Sequence, residues 1–593
     1  MRPLSLIAFL AAAFLAAGCA ATPDFGTRIP LQPEGASGYA EKTGWATRKF
    51  AVAAANPLAT DAGYQVLQAD GSAVDAAIAV QMVLGLVEPQ SSGLGGGAFL
   101  LHWDGRRVEA YDGRETAPAG VDGNLFLTAD GKTLPFHAAV VGGRAVGTPG
   151  VVRMLEQAHR QHGKLPWARL FEPAIALAEQ GFRVSPRLHE LLLGEKHLRQ
   201  DPVAARYFYA ADGTPWPVGH VLGNPELAAI LRRIAAEGSS ALLTGEVARD
   251  IVAKVRNHPT NPGRLSEQDL AGYQPKHREA LCSDWRTYRV CGFPPPSSGA
   301  IAVAQILGML EHLPRQDAAA KPLEYGLPSV NTLHRYAEAS RLAFADRAQY
   351  LADPDFVQPP GGDWMSLLDD AYLARRAALI GEGTMQSVQP GVPGAVKTAW
   401  APQPDQVEHG TSHISIIDAA GHAVAMTTTI EDGFGSRQMV HGFLLNNQLT
   451  DFSFAPADAA GRPIANRVEP GKRPRSSMSP TLVFDKASGQ LLMSAGSPGG
   501  APIIHYTAKT LLGALAWGLN AQEAIDLPNF GVLNGPVLLE KNRFPAATVE
   551  ALRARGHEVR EMPMVSGLQA IQRTRDGYFG GADPRREGIV MGE

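Results

Sequence analysis

Thr411 is the residue of this sequence whose type and position could carry the most demanding chemistry. It stands in the step Gly410-Thr411-Ser412, directly before an alternating apolar pattern that runs from Ile414 to Met426. A threonine that opens a strand is most often only a β-branched residue suited to that strand. If the chain is cut before Thr411, however, the freed α-amine lies beside the hydroxyl and can act as its base. An α-amine with a pKa of about 7.7–8.0 can take that proton near neutral pH. The local sequence alone favours the structural interpretation.

Arg114 is a second candidate, because it follows the end of a predicted strand. Such an arginine is usually solvated, but a guanidinium at this place can also bind a substrate carboxylate with two parallel hydrogen bonds. The glycine-rich stretch 87–97 has neither the spacing nor the lysine of a phosphate-binding loop, so nucleotide binding is rejected. No cysteine pair, His-Glu-x-x-His motif or acidic cluster with metal-ligand spacing is present, so no metal is implied.

A predicted amphipathic helix over 334–351 carries further titratable residues. Ion pairs on or under a helix are commoner than catalytic roles, so we assign structural roles to His334, Glu338, Arg341, Asp346 and Arg347.

Composition narrows the class of protein. The chain has 593 residues, a formal net charge of −4 and a charged fraction of 19%, which gives no indication of a nucleic-acid partner. Hydrophobic residues make up 45% of the chain, enough for a large core, and the 63 glycines and 44 prolines fall between apolar runs. This pattern favours a mixed α/β enzyme over a helical bundle.

The elements that must position Thr411 follow from hydrophobic periodicity. A helix begins near residue 73, a strand hairpin covers 98–103 and 108–111, and 151–253 is mostly helical scaffold. A second hairpin and a helix over 301–310 precede the helix at 334–351. The pattern after Thr411 changes to strands, with a helix at about 504–515. The predicted strands cover 413–417, 424–430, 442–445, 481–484, 491–494 and 567–573. We therefore expect a layered α/β domain.

The stretch 390–405 is rich in Pro, Gly and Gln and has little periodicity. We interpret it as an exposed and mobile segment, the kind of place where a chain tolerates a cut. It ends shortly before Thr411.

The N-terminus has the features of an export signal. A positive charge and an apolar stretch too short to span a bilayer lead to Ala16-Ala17-Gly18-Cys19. We expect a lipoprotein-type signal peptide over 1–18, lipidation of Cys19 and a tether over 19–43. Ala20 favours the outer membrane, so the expected location is the periplasm or cell envelope, with membrane attachment only through the lipid. The alternative is an ordinary secretory signal.

Cys282 and Cys291 flank a short predicted hairpin. In an exported protein they can form a disulfide, and two free thiols are the alternative. Neither interpretation makes them catalytic.

Motifs spread along the chain resemble one known family. They run in order from about residue 51 to the C-terminus. They are 87–97, Gly113-Arg114-Glu115, Pro294 to Gly299, 343–347, Thr411-Ser412-His413, 444–452, 472–480 and Gly496 to Gly500. Together they resemble the gamma-glutamyltransferase family, also called gamma-glutamyl transpeptidases or glutathione hydrolases.

The resemblance implies an N-terminal nucleophile hydrolase with a four-layer αββα core and no cofactor. The precursor would cut itself between Gly410 and Thr411 into a large chain, 44–410 in its folded part, and a small chain, 411–593. The two chains would stay together. Thr411 would attack a γ-glutamyl amide such as glutathione, and the acyl group would pass to water or to an amino-acid or peptide acceptor.

The resemblance also implies roles for other residues. A γ-glutamyl group carries an α-carboxylate and an α-ammonium that must both be held to aim its γ-carbonyl. The matching positions are Arg114, Ser476 and Ser477 for the carboxylate, Gln448 and Asp451 for the ammonium, Gly499 and Gly500 for the oxyanion, and Thr429 for orienting the nucleophile.

Two departures leave the substrate open. Glu431 stands where many members have Asn, although a carboxylate there can still bind an ammonium. The segment 453–471, which corresponds to a lid over the site, is short and contains no Tyr or Trp. The balance between hydrolysis and transfer therefore stays open. So do two alternatives: a glutaryl or cephalosporin-type acylase on the same fold, and a catalytically silent envelope lipoprotein.

Overall fold

A computed structural model describes residues 37–314, 321–394, 399–404, 406, 408 and 410–593, with the Gly410–Thr411 bond intact. The predicted signal peptide at 1–18, the predicted lipidation site Cys19 and the tether up to residue 36 lie outside the described residues.

Strands and helices alternate along the described residues, and both are numbered in chain order. The strands are β1 Trp45–Thr47, β2 Ala51–Ala54, β3 Gly97–Trp103, β4 Val108–Asp112, β5 Phe182–Arg183, β6 Val221–Leu222, β7 Lys276–Glu279, β8 Leu281–Trp285, β9 Tyr288–Gly292, β10 Leu323–Glu324, β11 Leu327–Pro328, β12 Ser412–Ile417, β13 Ala423–Thr429, β14 Met439–Val440, β15 Phe443–Leu444, β16 Thr481–Asp485, β17 Leu491–Gly496, β18 Phe530–Gly531, β19 Val537–Glu540, β20 Val559–Met562, β21 Gln569–Thr574, β22 Gly577–Ala582 and β23 Ile589–Gly592. The α-helices are α1 Pro57–Gln68, α2 Ala73–Val87, α3 Phe136–Val140, α4 Val151–His162, α5 Glu172–Gln180, α6 Pro186–Gly194, α7 Pro202–Phe208, α8 Pro225–Glu237, α9 Ser240–Leu243, α10 Gly245–Arg256, α11 Glu267–Gly272, α12 Gly299–His312, α13 Val330–Tyr350, α14 Asp370–Ala377, α15 Ile503–Ala516, α16 Ala521–Asp526 and α17 Ala546–Ala554. Short 3-10 helices cover Trp167–Phe171, Leu198–Gln200, Pro360–Gly362, Trp364–Leu368 and Gln448–Asp451.

Two seven-stranded sheets form the centre of the molecule. One has the order β1-β22-β21-β17-β16-β9-β8, and the other has the order β23-β2-β12-β13-β3-β4-β7. The strand that begins just after Thr411 therefore lies inside the second sheet, paired on one side with β13 and on the other with β2. Both neighbours are antiparallel, so the end of β12 that carries Thr411 is held by ladders on both sides.

Alternation along β12 separates the layers. Ile414 and Ile416 pack into the cluster that contains α1 and α2, whereas Ile417 packs into the cluster shared by the two sheets. Helices α12 and α15 cover the outer face of the other sheet. All six residues of β12 are buried, and three of them are apolar, as expected for a strand that is covered by layers on both faces. The predicted four-layer αββα core is confirmed.

The predicted elements that frame Thr411 are present with small shifts at their ends. Helix α2 begins after Ser72, whose hydroxyl accepts from the N–H of Asp75 in a capping box. Helix α1 was not predicted from the sequence, although Asn56 followed by Pro57 is a start signal for a helix.

Three of the predicted loops and terminal segments include described residues. Cys282 and Cys291 face each other across β8 and β9 and are joined in a disulfide, which settles the pairing that the sequence left open. Residues 37–43 of the predicted tether are held by the C-terminal segment, for example through Lys42 Nζ, which donates to Asp583 O at 2.7 Å. The described part of 390–405 contains no helix or strand, and an isolated bridge joins Ala401 to Ile464. Within the described ranges, no helix is both long enough and apolar enough to cross a bilayer.

Candidate active site

Thr411 is buried at the junction of the two sheets. Its exposed fraction is 2%, and its Oγ1 accepts a hydrogen bond of 3.1 Å from the backbone N–H of Gly499. The two sheets lie close together here, which explains how the turn after β17, with Gly499, reaches Thr411. Gly496, at the end of β17, lies so close to the ring of His413 that a Cβ atom would meet Cε1 at 2.3 Å. Only glycine therefore allows β17 and the turn after it to lie against the start of β12.

The peptide bond before Thr411 is held in an unusual conformation. Gly410 has φ +30°, and a Cβ atom there would lie 2.0 Å from the carbonyl oxygen of Glu431. The hydroxyl of Thr429 donates a 2.6 Å hydrogen bond to Gly410 O, and it accepts one of 2.8 Å from the N–H of Glu431. A donor on Gly410 O withdraws electrons from the carbonyl carbon that the Thr411 hydroxyl would attack during a cut at this bond.

The predicted carboxylate and ammonium sites contact each other in the intact chain. Arg114 is completely buried, donates to the backbone oxygens of Pro474 at 3.2 Å and Arg475 at 3.1 Å, and forms an ion pair with Asp451. Gln448 also donates to Asp451, at 2.8 Å. Burial raises the pKa of Asp451 to about 6, although the charge of Arg114 acts in the opposite direction.

The backbone N–H of Glu431 contacts Thr429 at the site, whereas its side chain is directed to polar neighbours. Its φ is +77°, and its carboxylate accepts hydrogen bonds from Asn447 Nδ2 and, at 3.1 Å, from Thr450 Oγ1. Ser476 Oγ accepts a 3.1 Å bond from the N–H of Met478.

A small cavity lies beside Thr411 and joins most of the predicted residues. Its volume is about 10 Å³, room for about one water molecule. It is lined by Arg114, Glu408, Thr411, Thr429, Gln448, Asp451, Ser476, Ser477, Met478, Gly500 and Ile503. Of the predicted residues, Gly499 contacts Thr411 directly, and Glu431 is connected through Thr429. The structure thus brings the predicted set together around one point.

The linker before Thr411 fills the rest of this space. The carboxylate of Glu408 is bonded to Arg347 Nη2 at 2.5 Å and to the hydroxyl of Ser477, and Arg475 Nη2 lies 3.9 Å away. Gln406 donates to Phe452 O at 2.7 Å, close to the turn that carries Asp451. A γ-glutamyl group cannot enter while these residues are in place.

Three residues at this site were not predicted to belong to it. Arg347 was assigned a structural role, and no role was assigned to Glu408 or to Arg475, which lies inside the motif 472–480. A buried arginine at the end of a long helix, in a motif of the resembled family, was the available signal for Arg347. The sequence held no comparable signal for Glu408, because its partners lie far away along the chain.

The architecture and the buried threonine define the class as that of the N-terminal nucleophile hydrolases. A family model described as gamma-glutamyltranspeptidase matches residues 59–593. The chain is 34% identical over 555 residues to the glutathione hydrolase proenzyme of Bacillus subtilis (strain 168), covering 91% of each chain. It is also 34% identical over 538 residues to the acylase ACY 1 proenzyme of Pseudomonas sp. (strain V22), covering 89% of this chain and 90% of the relative. Among solved structures, the cephalosporin acylase from Bacillus halodurans superimposes with a TM-score of 0.80 at 27% identity, over 93% of this chain and 97% of that one.

The chain therefore belongs to the gamma-glutamyltranspeptidase family. It is an enzyme of the gamma-glutamyltransferase class, as the motifs predicted.

Proposed function

We propose that this enzyme processes itself at the Gly410–Thr411 bond and then uses Thr411 to cleave glutathione-like γ-glutamyl amides. The observation that carries the proposal is the contact set around that bond: Thr429 on the carbonyl oxygen, Gly499 on the nucleophile and a glycine at the strained position. These are the groups that a cut by Thr411 requires.

The cut would proceed as an acyl shift followed by hydrolysis. Thr411 Oγ1 attacks the carbonyl carbon of Gly410, the C–N bond breaks, and the nitrogen takes the proton that the hydroxyl releases. Water then hydrolyses the ester, leaving a carboxylate on Gly410 and a free α-amine on Thr411. The products are a large chain whose folded part is 44–410 and a small chain of 411–593. They remain associated because β12 and β13 lie between strands of the large chain.

Turnover would use the newly formed amine as the base. The amine takes the Thr411 hydroxyl proton, the oxygen attacks the γ-carbonyl, and the N–H groups of Gly499 and Gly500 hold the developing oxyanion. The amine returns the proton to the leaving nitrogen. The acyl-enzyme then reacts with water or with the amine of an amino acid or peptide.

Arg114, Ser476 and Ser477 are proposed to hold the α-carboxylate of the γ-glutamyl group, and Gln448, Asp451 and Glu431 its α-ammonium. In the intact chain Arg114 and Asp451 satisfy one another, and a bound zwitterion would offer each an opposite charge. Both buried charges would therefore be paired in the intact chain and also in the enzyme with bound substrate.

A denaturing gel of the purified protein tests the processing step. Wild type should give two bands, whereas Thr411→Ala should give one band and no γ-glutamyl activity. Thr411→Ser, which keeps a hydroxyl, should still be cut. γ-Glutamyl activity in an uncut Thr411→Ala protein would refute the assignment.

Acylase chemistry is the second candidate, favoured by the superposition on a cephalosporin acylase and by a lid segment without Tyr or Trp. γ-Glutamyl-anilide and glutaryl-anilide distinguish the two, because a glutaryl group has no ammonium for Asp451 to bind. Faster turnover of the glutaryl donor would move the assignment to the acylase.

We also propose that the enzyme is exported and held by a lipid on Cys19, after removal of 1–18. The N-terminal sequence supports this proposal. Fatty-acid labelling of wild type and Cys19→Ala in cells tests it, and equal labelling of both proteins would contradict it.

A further inference from the structure

The carboxylate of Glu408 shows where a second cationic position lies in the site. Arg347 Nη2 is 2.5 Å from Glu408 Oε1, the Ser477 hydroxyl donates to the other oxygen, and Arg475 Nη2 is 3.9 Å from Oε1. Both arginines are almost fully buried, with exposed fractions of 6% for Arg347 and 4% for Arg475. Two buried guanidiniums around one carboxylate make a site with a strong preference for anions.

This position is built independently of the linker. Arg347 belongs to α13, its Nε donates to Ser298 Oγ at 2.8 Å, and its guanidinium lies 5.4 Å from the centre of the Phe344 ring. Arg475 Nη1 donates to the backbone oxygen of Arg347 at 3.3 Å. The orientation of both side chains is therefore fixed by residues that stay in place when Glu408 leaves.

The position is also separate from Arg114. The guanidinium of Arg114 is directed to Asp451 and to the backbone oxygens of Pro474 and Arg475, whereas Arg347 donates to the hydroxyl of Ser477. Since Ser477 lines the cavity beside Thr411, a carboxylate bound there lies within the donor site.

We propose that Arg347, Arg475 and Ser477 form a carboxylate-binding subsite, filled by Glu408 before the cut and by a carboxylate of the γ-glutamyl donor after it. The inference rests on the proposed self-processing at Thr411. Glu408 lies on the new C-terminal tail of the large chain, two residues before the cut end, so the cut frees it to leave. The donor carboxylate is either the α-carboxylate of the γ-glutamyl group, which the subsite would then bind together with Arg114, or one on the leaving amine.

Steady-state kinetics of the processed enzyme test the subsite with three donors. γ-Glutamyl-4-nitroanilide carries only the α-carboxylate, 4-aminobutyryl-4-nitroanilide lacks it, and γ-glutamyl-3-carboxy-4-nitroanilide has a second carboxylate on the leaving amine. Arg475→Leu removes the charge, Arg475→Lys keeps it, and Arg232→Leu removes an exposed arginine of α8 as a matched control.

If the subsite binds the α-carboxylate, Arg475→Leu should raise KM for both γ-glutamyl donors roughly 10- to 100-fold, because it removes one of the two buried positive charges that face the carboxylate. The kcat should change little, KM for the aminobutyryl donor should stay the same, and Arg475→Lys should recover part of the loss. If the subsite binds a carboxylate of the leaving amine, only the 3-carboxy donor should lose affinity. Either pattern supports the subsite.

Unchanged KM for all three donors in Arg475→Leu would overturn the inference, as would equal losses for all three. If Arg475→Leu does not mature, the same comparison is made with Arg475→Gln, which also removes the charge, and unchanged KM values are again the contrary result. A wild-type enzyme that is not cut or does not turn over γ-glutamyl donors would instead refute the proposed function, so the two failures are distinguishable.

Discussion

Replacing Thr429 with valine is the most direct test of how the chain cuts itself. The change keeps the shape of the side chain and removes one hydroxyl, which donates to Gly410 O at 2.6 Å and accepts from the N–H of Glu431 at 2.8 Å. The carbonyl oxygen of Gly410 becomes an oxyanion when Thr411 attacks. Loss of one such donor typically costs about 2.7–4 kcal/mol of transition-state stabilisation, a factor of about 10²–10³ in rate.

The same substitution should affect folding much less. It leaves the N–H of Glu431 without this acceptor, which typically costs about 1–3 kcal/mol of unfolding free energy. Cleavage is followed on denaturing gels from a pulse of synthesis, and the melting temperature is measured on the same proteins. We expect Thr429→Val to accumulate precursor that is folded and cut at least about a hundred times more slowly than wild type.

Thr428→Val is the matched control. Thr428 is the preceding residue of β13 and is equally buried, but its hydroxyl donates to Gly97 O at 3.3 Å and does not contact Gly410. It should be cut at the wild-type rate, and Thr429→Ser should be cut almost as fast. Normal cleavage of Thr429→Val, or equal slowing of Thr428→Val, would refute the role that we derive from the Gly410 contact.

Three further predictions concern the same pocket. Gly410→Ala should slow cleavage by about tenfold or more, because its Cβ would meet the Glu431 carbonyl at φ +30°. Gly421→Ala is the control on gels, because at φ +81° its Cβ would meet only Arg573 Nη2, at an ordinary contact distance of 3.8 Å. In the processed enzyme, Asp451→Asn should raise KM for γ-glutamyl-anilide and leave glutaryl-anilide unaffected; equal losses would contradict an ammonium role. In the uncut Thr411→Ala protein, the ionisation of Asp451 should lower the melting temperature as pH rises from about 4 to 6. Burial raises its pKa to about 6, so the folded chain retains a proton that the unfolded chain releases. Asp451→Asn should remove this part of the pH dependence, and an unchanged slope would count against the raised pKa.

Much of this site could be predicted from the sequence because its parts are short motifs with fixed local geometry. The Gly-Thr-Ser step before an alternating apolar pattern predicted the start of a strand, and Gly499, in the turn after β17, contacts Thr411 at that start. The layered fold was equally accessible, since strands with apolar residues on both faces require layers on both sides. The resemblance supplied the order in which these parts meet.

The contacts of the linker could not be predicted in the same way. Glu408 is one charge in a segment without periodicity, and its partners Arg347, Arg475 and Ser477 are 61 to 69 residues distant. Only the folded chain shows that they share one space. For the same reason Arg347 was interpreted as a structural ion pair: its place in a helix was visible in the sequence, but the carboxylate it binds was not.

Breaking the Gly410–Thr411 bond would change three properties of the site at once. An intact Gly410–Thr411 bond means that the nitrogen of Thr411 is an amide and cannot act as a base. With Glu408 in place, a carboxylate already occupies the space beside Arg347 and Arg475. The same negative charge contributes to the raised pKa of Asp451, so the proposed ammonium acceptor is harder to ionise before the cut than after the tail leaves. Base, space and charge therefore change together, and the missing base and the filled space should each be enough to leave a folded but uncut precursor inactive.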